Sequence, residues 1–219
     1  MSSGPVGHLG QAAADPVGDQ TYEHIVEAGR DVVRDFGPRR VTMAEVARRA
    51  GVSRMTLYRR FDSVDSLMAA VLTREMADVI THVIAESAAA GNARRRLVSE
   101  VVGTTRTLSR HSLLRRVIEV DPESLMPLIV ARLGSGQRLI VSHVTARLKQ
   151  GMASQGGDGS IRDDDPDLVA LALLATGQSF VVSAAPLTHS YPDGRLGDQL
   201  ALMIEAYLLP IANRGGPHD

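Results

Sequence analysis

Residues 39–61 read RRVTMAEVARRAGVSRMTLYRRF, and this stretch decides the fold. Thr42-Met43-Ala44-Glu45 has the form of a capping box: the Thr hydroxyl accepts from the Glu45 backbone N–H, and the Glu45 side chain returns a bond. Val46 and Ala47 face inward on a short helix. Ala50 is small enough to let two helices approach, Gly51 supplies the left-handed backbone of a tight turn, and Val52 plugs the corner. Ser53 caps a second short helix in which Leu57 and Phe61 point to the core. Short helix, three-residue turn, short helix is the helix-turn-helix layout. The charge agrees with it. Residues 39–60 hold seven arginines (39, 40, 48, 49, 54, 59 and 60) against one acid, Glu45, a local charge of +6 in a chain whose net charge is −1. Positive charge is thus concentrated where the second helix would meet phosphates.

Outward from this segment, 219 residues suffice for one or two domains. Cysteine is absent, which excludes a disulfide framework, a Cys-ligated metal and a thiol nucleophile. Aromatics are 3% with no Trp while 44% of residues are apolar, so the core is built from Ala, Val, Leu, Ile and Met, a composition that favours helices over sheets. Lys149 is the one lysine among 24 basic residues, a bias that fits a GC-rich bacterial genome. Residues 1–19 lack the basic and apolar regions of a secretory signal and read as a disordered tail, as do residues 213–219. Leu168 to Leu187 is twenty residues without a charge, near membrane-span length. Thr176, Gly177, Gln178, Ser179 and Ser183 interrupt it, and we read it as buried between helices or subunits, not as a span.

Apolar spacing of three and four predicts helices at about 20–36, 43–50, 54–61, 64–89, 93–109, 111–120, 123–133, 135–152, 166–184 and 195–211. In the first, Ile25, Ala28, Val32 and Phe36 share a face, and Gly37-Pro38 stops it. Gly156-Gly157-Asp158-Gly159 marks a flexible loop, and Asp163, Asp164, Asp165 and Asp167 favour the start of the following helix. No strand alternates convincingly, so the expected class is all-α. Four of the seven aromatics (Tyr22, Phe36, Tyr58 and Phe61) lie in the first 61 residues. They suit a small N-terminal domain, 20–66, followed by a larger helical domain, 67–212, with the boundary inside the 64–89 helix.

Segment 20–67, above all VTMAEVARRAGVSRMTLYRRF followed by DSVDSL, resembles the N-terminal domain of the tetracycline-repressor (TetR) family. The resemblance implies that Thr42 contacts phosphate, that Ser53, Arg54, Met55 and Thr56 face base edges or phosphates, and that Tyr58 reaches a phosphate, flanked by Arg59 and Arg60. The family usually has a Lys where this chain has Val64; Arg39 or Arg40 would stand in for it. By the same resemblance the last two helices pair with their symmetry mates in a homodimer, and the middle helices line an effector pocket. His111, Leu114, Val117, Ile118, Met126 and Phe180 are the candidate pocket residues.

Enzyme signatures are missing: no G-x-S-x-G, Walker or G-x-G-x-x-G pattern occurs. His82 and Glu86 have metal-compatible helical spacing without a third ligand. No metal or cofactor is implied. The expectation is a cytoplasmic, ligand-responsive regulator, most simply a repressor, that binds palindromic double-stranded DNA and is released by a small molecule. A DNA-binding regulator with no small-molecule effector, or more remotely a small helical enzyme or carrier, are the alternatives.

Overall fold

The computed structural model of the chain describes residues 16–120, 134–188 and 195–210, and these are all-α. Helix α1 spans Pro16–Phe36, four residues earlier than its spacing predicts. Its inner face, Ile25, Val26, Ala28, Val32 and Val33, is buried. Phe36 departs from expectation: it is 45% exposed, and the Arg49 guanidinium lies 5.1 Å over its ring. Its position in the last turn lets that cation hold it outside the core. A 3-10 turn, Pro38–Arg40, leads to α2 (Met43–Arg49) and α3 (Arg54–Arg60).

The turn between α2 and α3 forms as its chemistry requires. Gly51 has φ +65°, and the Val52 amide donates to the Ala47 carbonyl at 3.1 Å. The Ser53 hydroxyl accepts from the Thr56 amide at 3.0 Å, starting α3. Leu57 is fully buried, and Phe61 is buried with its ring stacked on Tyr22 at 5.3 Å. Ser63 opens α4 (Val64–Ser87) with a reciprocal Ser63–Ser66 capping box.

Five further helices follow: α5 (Ala93–Arg110), α6 (Ser112–Val120), α7 (Ser135–Gly151), α8 (Pro166–Thr188) and α9 (Arg195–Leu208). Helix α5 packs against α4, α7, α8 and α9 and so forms the axis of the larger half. The helix expected at 123–133, residues 1–15 of the expected 1–19 tail and the tail 213–219 lie outside the described residues; residues 16–19, expected as disordered, form the first turn of α1. The glycine-rich loop is anchored, contrary to the flexible reading. Asp158 Oδ2 accepts from the Ala93 amide at 2.9 Å, and Ser160 Oγ from the Arg94 amide at 3.1 Å. The loop thereby satisfies free N–H groups at the start of α5, and the bond from the Ala93 amide, with those from Ser160, holds the Asp158 carboxyl below its ordinary value. Asp165 plays the expected part at α8: its carboxylate accepts from the amides of Asp167 and Leu168.

The apolar core has distinct sections. The N-terminal cluster joins α1–α3 to the first half of α4 through Leu67, Met68, Val71 and Leu72, and also takes in Leu113 and Val117 of α6. A second cluster joins α5, α7, α8 and α9 around Leu97, Leu148, Met152, Leu173 and Leu200. Val79 and Val83 of α4 meet Leu108 of α5 between them.

No atom lies within 4 Å of a Cβ built at Gly51, so a side chain there meets open space and only backbone conformation resists it. Gly51→Val should therefore cost about 1 kcal/mol or more, and Gly51→Asn distinctly less, because Asn tolerates the left-handed region. Urea unfolding of the three proteins measures this; a Gly51→Val variant as stable as wild type would contradict the account.

Candidate functional site

Two candidate sites stand out among the described residues, a basic surface built by α3 and a cavity in the larger half. On the first, Arg54, Met55, Tyr58, Arg59 and Arg60 project from α3 into solvent, Met55 being 82% and Tyr58 53% exposed. An 82% exposed methionine on a helix whose Leu57 is fully buried marks the outward face of α3. Ser53 and Thr42 are exposed at the starts of α3 and α2, with Arg39 and Arg40 exposed on the preceding turn. Thr56 is half-buried, its hydroxyl 2.8 Å from that of Ser53. Val64 occupies the first position of α4.

Glu45 behaves differently from the capping-box reading. Its amide does donate to Thr42 Oγ1, at 3.3 Å. Its carboxylate turns away, to Arg48 (2.6 and 2.9 Å) and Arg49 (3.1 Å). Two guanidiniums three and four residues along the helix outbid one backbone N–H. They hold the Glu45 carboxyl down at about 2. Arg49 also reaches Asp35 at 2.6 Å, tying α2 to the end of α1. Two of the seven arginines are thus neutralised within the protein. Arg39, Arg40, Arg54, Arg59 and Arg60 have no carboxylate partner among the described residues.

The cavity has a volume of about 220 Å³ and lies between α4, α5, α6, α7 and α8. Most of its wall is apolar, including Met76, Ile80, Leu108, Ile140 and Val181. Of the expected pocket residues, Leu114 and Ile118 line it. Val117 does not: it is buried in the N-terminal core with Leu113, while Leu114 and Ile118, the next row round the same apolar face of α6, pack against that core at its edge and reach the cavity. Phe180 packs instead against the α5–α9 cluster. His111 lies in a separate cleft, its Nε2 2.8 Å from the Glu75 carboxylate. Met126 falls outside the described residues.

The sequence reading missed the polar side of this cavity. Glu100 of α5 is 4% exposed and lines the wall beside His143 of α7. His143 Nε2 lies 2.8 Å from Glu100 Oε2, and Arg147 contacts both carboxylate oxygens at 2.9 and 3.2 Å. Burial pushes the Glu100 carboxyl up, but the hydrogen bonds from His143 and Arg147 outweigh it and leave the group below its ordinary value. The available signal was a His and an Arg four residues apart on α7, flanked by the apolar Ile140, Val144 and Leu148. Among the described residues no three potential metal ligands come together; His82 and Glu86 form an exposed pair at 3.3 Å.

Helices α8 and α9 leave apolar side chains uncovered. Leu168, Leu171 and Val182 of α8 and Leu202, Met203 and Tyr207 of α9 are each at least 39% exposed. By length and composition alone, Pro166–Ala184 is also apolar enough to cross a membrane.

Comparison with known proteins places these features in context. The model of the family "Bacterial regulatory proteins, tetR family" matches residues 25–71. The uncharacterized HTH-type transcriptional regulator Rv2250c of Mycobacterium tuberculosis is 34% identical over 188 residues, covering 86% of this chain and 94% of its own. Among solved structures, the R. erythropolis transcriptional repressor QsdR from the TetR family superposes with TM-score 0.67 at 20% identity, over 91% of this chain and 99% of that one. RolR, solved with resorcinol, superposes with TM-score 0.58 at 18% identity, over 92% and 97%.

The Glu45 pairing makes a prediction about acid. A carboxyl with a folded pKa of about 2 against a usual 4.5 contributes stability that is fully present above pH 4.5 and is lost as pH falls through 2. Carbon-detected NMR should show Glu45 titrating near 2 in the wild type and nearer 4.5 in an Arg48→Ala/Arg49→Ala protein. An unshifted titration in the double variant would remove the two arginines as the cause.

Proposed function

The chain belongs to the tetR family of bacterial regulatory proteins, and from that premise we propose that it is a cytoplasmic repressor that binds a palindromic operator as a homodimer and is released by a small molecule. The observation that carries the DNA half is the set of five arginines left free on α3 and on the turn before α2, around exposed Met55 and Tyr58. An arginine already paired with a carboxylate releases no DNA counterion, whereas a free one does. In this reading Ser53, Arg54, Met55 and Thr56 meet the major groove. Thr42, Arg40, Tyr58, Arg59 and Arg60 hold the phosphates on either side. Arg39 or Arg40 takes the place of the Lys that Val64 replaces.

The uncovered apolar stripes of α8 and α9 support self-association. A patch of Leu168, Leu171, Leu202 and Met203 is costly in water and suits a two-fold partner presenting the same surface. Such a dimer would set two α3 helices one DNA turn apart, about 34–36 Å. That geometry makes DNA affinity sensitive to small displacements. The mainly apolar cavity supports an effector site, and the resorcinol-bound neighbour is an instance of a small guest held by this fold.

Two helices connect cavity and basic surface. Helix α4 has Leu67 and Val71 in the N-terminal core and Met76 and Ile80 on the cavity wall. Helix α6 does the same with one apolar face: Leu113 and Val117 are buried in the N-terminal core, and Leu114 and Ile118 pack against that core and line the cavity. A guest that moves α6 moves the base of the DNA-binding half directly. We therefore assign coupling to α4 and α6 together.

Operator binding tests the DNA assignment. Arg54→Ala and Arg59→Ala should each weaken binding, a lost phosphate contact flattening the salt dependence by about one unit and a lost base contact costing about 1–3 kcal/mol at one position. Undiminished affinity in a combined Arg54→Ala/Tyr58→Ala/Arg59→Ala protein would refute the surface.

Coupling is tested at Glu75, which joins α1, α4 and the start of α6 through Arg30 and His111. A coupling of about 1–3 kcal/mol changes operator affinity by roughly 5–150-fold. Glu75→Gln should shrink that ratio while leaving a folded protein that binds DNA. A ratio equal to wild type would exclude this junction from the pathway.

A further inference from the structure

The polar side of the cavity specifies what kind of molecule belongs in it. Glu100 is 4% exposed, and its negative charge is matched by the Arg147 guanidinium, which contacts both carboxylate oxygens. His143 completes the cluster through Nε2, at 2.8 Å. An ionised carboxylate only accepts hydrogen bonds, so Nε2 is the donor in that contact. In the neutral ring the other nitrogen, Nδ1, then carries a lone pair and accepts. His143 both lines the cavity and retains 27% side-chain exposure, so its ring is within reach of whatever fills the space.

We infer that the cavity selects an uncharged, mainly apolar guest of about two fused rings in size that bears one hydroxyl, and that His143, held in place by Glu100 and Arg147, accepts that hydroxyl's hydrogen bond. This rests on the effector-site reading above and gives it a ligand class. Size follows from volume: an apolar cavity of about 150 Å³ holds one benzene, and this one is about 220 Å³. Charge follows from the cluster. A carboxylate guest would bring a second negative charge beside Glu100 while the Arg147 guanidinium is already engaged there. A cationic guest would find the Glu100 charge already matched by Arg147 and would lose its own hydration to a largely apolar wall. A guest with no polar group would leave the His143 acceptor without a partner, weakening binding by roughly 5–150-fold relative to a hydroxylated one.

Three probes share one ring system and differ only at the polar group: 2-naphthol, naphthalene and 2-naphthoate. Their affinities for the full-length protein, measured by calorimetry at neutral pH, should fall in that order. His143→Leu should abolish the preference for 2-naphthol over naphthalene, and His143→Gln, whose amide oxygen still accepts, should keep part of it. Glu100→Gln should also reduce it, as a positioning residue acting through the His143 ring, without removing naphthalene binding. The inference is overturned if 2-naphthoate binds tightest, if naphthol and naphthalene bind alike, if His143→Leu keeps the wild-type preference, or if none of the three binds at millimolar concentration. Operator affinity with and without saturating 2-naphthol is read separately. Ordered binding that leaves DNA affinity unchanged keeps the guest class and refutes the effector role; disordered binding together with release of DNA does the reverse.

Discussion

The arrangement of the two halves depends on one buried carboxylate. Glu75 sits midway along α4 with 7% of its side chain exposed, engaged by Arg30 from α1 and by His111 at the start of α6. A charge in such a place is tolerated only with its partners in position, and removing one partner of a buried pair commonly costs about 3–5 kcal/mol. The contact is directional where apolar packing is not. It fixes the rotation of α4 relative to α1, and the point at which α6 leaves α5. Once those are set, residues 113 and 117 fall into the N-terminal core and residues 114 and 118 onto the cavity wall. The Glu75 junction thereby makes one helix answer to both sites.

The larger half uses the same device a second time. Glu100 on α5 is buried and compensated by two residues of α7, His143 and Arg147. Around it most of the wall is apolar, with Thr104, Gln137 and Gln178 as further polar groups, so the cluster is the charged source of direction inside the cavity. Apolar burial supplies adhesion, and the two carboxylates supply register. The glycine-rich loop adds a third constraint, its Asp158 and Ser160 fastening the start of α5 to the chain that leads into α8.

Arginine is used in two ways on the smaller half. Arg48 and Arg49 are internal ties, closing on Glu45 and Asp35 and stacking on Phe36. Arg54, Arg59 and Arg60 project from the same small unit with no such commitment. Composition alone cannot separate the two uses, because both raise the local charge equally. The carboxylates brought near by α1 and α2 separate them.

What the amino-acid sequence determined by itself is everything whose physics is local. Gly51 with Val52 and Ser53 specified the turn, Leu57 and Phe61 the inward face of α3, and Gly37-Pro38 the end of α1, since each depends on backbone conformation or on neighbours three and four residues away. The helical class followed from the same periodicity. Tertiary structure alone decided which part of the apolar face of α6 reached the cavity, since Leu113, Leu114, Val117 and Ile118 form one apolar surface opposite Arg115, Arg116 and Glu119, and nothing within nine residues says which core lies where. The fate of Glu45 was settled locally by Arg48 and Arg49, whereas tertiary structure turned the glycine-rich loop into an anchor, Asp158 and the adjoining Ser160 reaching partners 65 and 66 positions distant. The polar cluster of the cavity belongs to this second group. Glu100 and His143 lie 43 residues apart, and only the packing of α5 on α7 gives the charge of one a reason to orient the ring of the other.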